Sequence, residues 1–282
     1  MNFSNGDIAD WNWISDPIFG HAGTQFYAPI ISDPVVSRTM FVGTGRTVYR
    51  TKTHGMGTMT VAEFRQHCNE WFGDFAVVCG DWAELGPVRL TNAAFGDRAG
   101  GAVAAVERTL ADTSTLWAAT TTGRVFISKN ADADPPAAAT WTRLDSLALN
   151  DPNRFVSGIY VDPANGNHAW VSYSGFNSAT PATPGHVFEV TYDPGTGAAT
   201  WVDISHDLDD LPLTDIARDD VTGDLYASSD FGVVRLVAGA TSWTLAAPGM
   251  PNVEVAGLTI VPGARRLYAA THGLGAWLLN LR

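Results

Sequence analysis

The groups of this sequence best suited to chemistry are acidic side chains in loop positions: Asp97, Asp209, Asp210, Asp215, Asp230 and Glu254. Two carboxylates facing one bond can hydrolyse a glycoside, one protonating the leaving oxygen while the other activates water. Asp230, Asp215 and Glu254 are the catalytic candidates. Asp97, Asp215 and Asp230 are also the ligands of an alternative calcium site, since oxygen-rich acidic sets suit a hard cation that polarises an ester or phosphoester oxygen. Arg98, Arg124, Arg154, Tyr173, His21 and His272 lie in neighbouring loops and supply the expected substrate contacts. A third reading has no chemistry, only a glycan or protein docked through Trp, Tyr and Arg. There is no G-x-S-x-G elbow, and "GTGRT" lies between paired strands rather than before a helix, so it reads as a hairpin turn.

Positioning these groups falls to a repeat. "MFVGTG", "LWAATTTG", "AWVSYSG", "LYASSDFG" and "LYAATHG" are versions of one small-residue strand. An apolar strand precedes each, as in "RFVSGIYVDP", and a third strand follows, as in "RVFIS". A fourth usually carries a Trp, as in "TWTRL" and "TSWTLA". Short strands at this period, joined by Gly and Asx turns, are the sequence form of a propeller blade. Inner strands need Ala, Gly, Ser and Thr where blades converge, and the outer Trp covers the blade interface. The expected fold is therefore a single all-β domain, a β-propeller of five four-stranded blades. The units span about 24–86, 98–146, 154–206, 212–247 and 253–282, and residues 8–18, with Trp11 or Trp13, are expected to close the last blade. "TVAEFRQHCNEW" is the one short helical turn. Because strands alternate in direction, second-to-third turns and inter-blade connections share one mouth of the channel, and the candidate acids are expected to meet there.

The stretch "VFISKNADADPPAAATW" resembles a decayed Asp-box, with Ser128, Asn130, Asp132 and Thr140-Trp141 in the Ser-x-Asp-x-Gly-x-Thr-Trp pattern. With "YASSDFGVVRL" and "YAATHGLGAW", the chain resembles the sialidase-like BNR-repeat propellers, including xyloglucanase- and sortilin-type blades, and is similar to the C-terminal part of a longer exported member. The resemblance implies glycoside hydrolysis and places Asp230 first, because "SSDFGVVRL" is similar to the xyloglucanase-type turn whose Asp is catalytic. The sialidase arginine triad, nucleophile pair and FRIP motif are absent, so sialidase activity is not expected. Asp-boxes form turns and carry no catalytic role.

Net charge is −12 and the pI about 4.8, which argues against nucleic acid and anionic membrane surfaces as partners. A carbohydrate or small-molecule ester is the expected ligand, no cofactor is required outside the calcium alternative, and the chain is expected to be a monomer, or a dimer if the ring is incomplete. The opening "MNFSNGDIADWNW" does not read as a signal peptide. Extracellular or periplasmic location is implied by the resemblance alone. Cys68 and Cys79 are close enough in sequence for a local disulfide, and the sequence leaves bridged and free forms open.

Overall fold

The computed structural model describes residues 10–19 and 25–281. It is an all-β, five-bladed propeller, each blade an antiparallel sheet whose strands pair in chain order. Blade 1 contains β1 (Ile30–Ser32), β2 (Met40–Gly43), β3 (Val48–Thr51) and β4 (Ala83–Glu84). Blade 2 contains β5 (Val103–Arg108), β6 (Leu116–Thr120), β7 (Val125–Ser128) and β8 (Thr142–Arg143). In blade 3 these are β9 (Val156–Val161), β10 (His168–Tyr173), β11 (Val187–Asp193) and β12 (Ala198–Asp203). In blade 4 they are β13 (Leu213–Asp219), β14 (Asp224–Ser229), β15 (Gly232–Leu236) and β16 (Trp243–Leu245). Blade 5 has three strands, β17 (Val255–Val261), β18 (Arg266–Thr271) and β19 (Ala276–Asn280).

Packing between blades follows the repeat. Phe41, Leu90, Val103 and Leu116 join blades 1 and 2, while Trp117, Val156 and Val171 join 2 and 3. Trp170, Val187 and Leu213 join 3 and 4, and Tyr226, Val255 and Leu267 join 4 and 5. The outer tryptophans add a repeated polar link. Trp141 Nε1 donates to the Leu85 carbonyl at 3.1 Å, Trp201 Nε1 to Leu144 at 3.2 Å, and Trp243 Nε1 to Ile204 at 3.1 Å. Each acceptor lies three residues beyond the preceding blade's own outer Trp, so the covering role expected of these tryptophans is their observed one. The decayed Asp-box is likewise a turn device, with Asn130 Oδ1 accepting from the Thr140 backbone N–H at 2.8 Å and its hydroxyl at 3.0 Å.

The amino-terminal segment departs from expectation. Of residues 8–18, those described do not join the last blade. Asn12 bridges Asn69, Trp13 N donates to the Cys68 carbonyl at 2.7 Å, and Asp16 N to the Cys79 carbonyl at 3.1 Å. Ile14 and Ile18 then cover Val42, Tyr49 and Trp82 on the free side of blade 1. The physical reason is a prepared partner close in sequence. Helix α1 (Val61–Cys68) starts with a Thr60/Glu63 capping box, and a Cys68–Cys79 disulfide closes the insertion that carries it. Pairing with that insertion closes a far shorter loop than pairing with β19. Among the described residues no hydrophobic cluster joins blade 5 to blade 1. Tyr27 bridges that junction, its hydroxyl 3.2 Å from His272 Nε2.

Candidate active site

The first strand of each blade lines the axis, and in blades 2 to 5 it carries one extra residue at the same place, Ala104, Ser157, Thr214 and Ala256. Such bulges increase local twist and re-aim the residues beside them. One result is Asp215. Its carboxylate turns toward blade 5 and accepts from Leu258 N and Ile216 N, both at 2.8 Å. Gly158 makes this possible, because a Cβ there would stand 2.6 Å from Asp215 Oδ1.

Further along the same strands, Glu107 and Tyr160 occupy corresponding positions and Arg218 lies one residue further along blade 4, each partly buried where its neighbours on either side are buried more fully. Together with Asp215, Asp220 and Leu258 they line a cavity of about 230 Å³. The turn Asp219–Val221 and Pro262, which follow first strands, form its rim. The cavity therefore opens at the mouth of the first-to-second turns, opposite the mouth where the sequence placed the candidate acids.

The two carboxyl groups there are held in different states. Burial, reinforced by the charge of Asp215, pushes Glu107 up to about 8. Burial also raises Asp215, to about 6, against the opposing pull of its two backbone N–H donors. Near neutral pH, Glu107 thus keeps its proton while Asp215 is mostly ionised. Beside them the Tyr160 hydroxyl donates to Asp220 Oδ2 at 2.5 Å and Arg218 Nη1 to Asp220 Oδ1 at 2.7 Å. Arg218 also stacks over the Trp170 ring at 4.7 Å, which fixes its guanidinium at the rim. Burial first, then the Asp220 bond, moves the Tyr160 phenol well above its ordinary value.

The other candidate residues occupy separate settings. Asp230 lies exposed in the β14–β15 turn with no hydrogen bond from the described residues. Glu254 pairs with His272, Oε2 to Nδ1 at 2.9 Å, and the pair touches Tyr27 at the junction of the first and last blades. Asp97 pairs with Arg143 at 2.7 Å and with Arg98 at 3.2 Å. Arg98 also reaches Asp145 and Asp151, and Tyr173 donates to Asp151 at 2.5 Å. Burial leads in raising Asp151, to about 6. Arg124 is fully buried and donates to the backbone carbonyls of Leu90, Gly96 and Asp97, tying down the connection between blades 1 and 2. Arg154 holds Thr180 Oγ1 at 2.7 Å and the Gly185 carbonyl at 2.6 Å. These arginines brace loops. His21 lies outside the described residues. Among the described residues no group of three or more His, Cys, Asp or Glu side chains is arranged to hold a metal ion. The calcium candidates Asp97, Asp215 and Asp230 accordingly belong to three different environments.

Of the polar residues lining this cavity, the sequence singles out Asp215 and not Glu107, Tyr160 or Arg218. Aligning the first strands register by register puts Glu107 of "VERT" level with Tyr160 of "IYVD" and with Ala217 of blade 4, and Arg218 lies one residue beyond.

The fold is that of a β-propeller, and no family model and no characterised protein matches the sequence. Solved structures do match in shape. An ancestral GH74 enzyme is 18% identical with a TM-score of 0.53, over 93% of this chain and 28% of that one. The Cps50 (Swd1) β-propeller domain of Myceliophteria thermophila is 12% identical, TM-score 0.56, over 90% of this chain and 70% of its own. The extracellular domain of a B. thetaiotaomicron protein described as a hybrid two-component system is 13% identical, TM-score 0.51, over 89% and 27%. At these identities the likeness shows the fold, and this chain spans little more than a quarter of the GH74 enzyme. The Cys68–Cys79 disulfide is consistent with an oxidising compartment, and no helix among the described residues is long and apolar enough to cross a membrane.

Proposed function

We propose that this chain is a carboxylate-dependent hydrolase of glycosidic bonds, working in the axial cavity with Glu107 as the proton donor and Asp215 as the base. One observation carries the reading: the carboxyl groups of Glu107 and Asp215 line the same cavity, where burial raises both and Glu107 the further. Arg218, Tyr160 and Asp220 offer donors and acceptors for sugar hydroxyls at the rim. The fold shared with a GH74 enzyme and the disulfide support an exported, glycan-directed protein. Acid and base are both side chains, so the reaction requires no cofactor and a chelator is expected to leave turnover unchanged.

Turnover of an aryl glycoside panel tests this. Glu107→Gln and Asp215→Asn should each lower kcat at least about 100-fold, the usual scale for losing a general acid or base, while Asp230→Asn changes little. The pH profile of kcat/KM should be bell-shaped, falling below about 6 and above about 8 as the pair titrates. Ligand binding without turnover across glycosides, or full activity in Glu107→Gln, would overturn the proposal. The sign of the stability effect is also fixed. A carboxyl raised by folding opposes folding increasingly as pH climbs from its unfolded value near 4.5 to about 8. Glu107→Gln should therefore raise Tm at pH 8, with the gain vanishing toward pH 4.

A further inference from the structure

Among the described residues blade 5 has three strands, and none of them pairs with the outer edge of β19. That edge has no charged residue and no proline between Gly273 and Leu281, the devices that normally keep such edges from pairing. Trp277 and Leu278 on this edge are 38% and 46% exposed. What belongs beside β19 can be read from the other blades. In blades 3 and 4 the outer Trp stands opposite Val190 and Leu236, which pair in turn with Ala169 and Leu225. The corresponding residue of blade 5 is Leu279, opposite Leu267. An apolar notch bounded by Ala246, Met250, Leu267 and Trp277 lies on that face. The rule linking each outer Trp to the third carbonyl beyond the previous one designates Ala246 as the acceptor.

We propose that two copies of this chain pair their β19 strands antiparallel about a two-fold axis at Leu278, so that each Trp277 takes the outer-tryptophan position of the other's last blade. With the axis at Leu278, the partner's Trp277 stands opposite Leu279, the register position just identified. Opposite residues of an antiparallel pair share a face, so the partner's Trp277 points into the notch. Its neighbour across the dyad is Trp277 itself, a diagonal aromatic pair like Phe188 and Trp201, whose ring centroids are 6.1 Å apart. The match is to a second copy rather than to a chain of copies. Ile14 and Ile18 already pack on the free side of blade 1, and an isologous contact between two β19 edges closes as a dimer. An indole buries about 150–250 Å². Two of them with the sockets they cover bury roughly 600–1,000 Å², below the standard size of specific interfaces, so the expected dimer is weak and reversible.

Sedimentation velocity on the intact chain from about 1 to 100 μM should show a monomer–dimer equilibrium. Trp277→Ala and Leu278→Lys should each weaken it at least tenfold with the circular dichroism spectrum unchanged. Cysteine crosslinking reads the register directly. Leu278→Cys should oxidise to a covalent dimer, whereas Ala276→Cys, which faces Asn280 of the partner subunit, should not. A chain monomeric throughout that range, a dimer untouched by both edge variants, or crosslinking through Ala276→Cys instead of Leu278→Cys would overturn the proposal.

Discussion

Leu116-Trp117-Ala118-Ala119-Thr120 in blade 2 and Leu267-Tyr268-Ala269-Ala270-Thr271 in blade 5 are nearly the same five residues in the same place of the repeat. All of the first set is buried. In the second, Leu267 and Ala269 are buried against blade 4, while Tyr268, Ala270 and Thr271 are open to solvent in part or fully. The pattern thus specifies a strand built to lie between two sheets, and whether both sheets are present is decided elsewhere in the molecule. Burial energy follows the neighbours and not the local sequence.

Charge is the sharpest way to separate the two. Ala119→Lys would place an ammonium group between blades 2 and 3 with no partner, a cost of several kcal/mol, so soluble folded protein should be lost. Ala270→Lys adds the same group to an exposed site and should leave Tm within a degree or two. Comparable expression of both variants would break the comparison. Aromatic truncation is the next largest effect. Trp117 is fully buried and its Nε1 donates to the Gly166 carbonyl at 2.8 Å, so Trp117→Ala should cost about 3–5 kcal/mol in urea denaturation. Tyr268→Ala, stripped on one face only, should cost less than half of that.

The same contrast explains what the sequence discloses. Strand order, blade number and the covering tryptophans were legible because each follows from a pattern repeated within about fifty residues. The attachment of Asn12 to Asn69 was not, because no local signal chooses between two distant edges. That choice was made by a helix and a disulfide whose formation the sequence left open. The candidate site was legible in part. Asp215 is legible as a candidate carboxylate, and Asp230 and Glu254 are legible because they lie in turns, where binding residues concentrate. Glu107 sits within an otherwise ordinary inner strand, and its raised pKa comes from burial and from the charge of Asp215, which folding brings from blade 4. The arginines show a related difference between sequence and structure. Sequence shows that Arg124 is near a mouth, but only folding shows that its donors are already spent on the carbonyls of Leu90, Gly96 and Asp97.

The finest test concerns one hydrogen bond. Trp201 in blade 3 donates to the Leu144 carbonyl of blade 2, whereas the buried Trp82 Nε1 of blade 1 has no partner among the described residues. Blade 5, which precedes blade 1 around the ring, has no fourth strand among the described residues to offer the carbonyl that the repeat rule requires. Ile14 and Ile18 supply apolar cover in its stead, but no acceptor. Replacing either Trp with Phe removes similar volume, so the two substitutions differ chiefly in what becomes of the N–H. Trp201→Phe leaves the Leu144 carbonyl unmatched, while Trp82→Phe deletes a donor that was already desolvated without compensation. The first should therefore be the more destabilising by about 1 kcal/mol, measured as a difference in urea midpoints at equal m-value. Equal losses would mean that the indole N–H contributes nothing at the blade junction, and the assignment of Ala246 as the waiting acceptor in blade 5 would lose its basis.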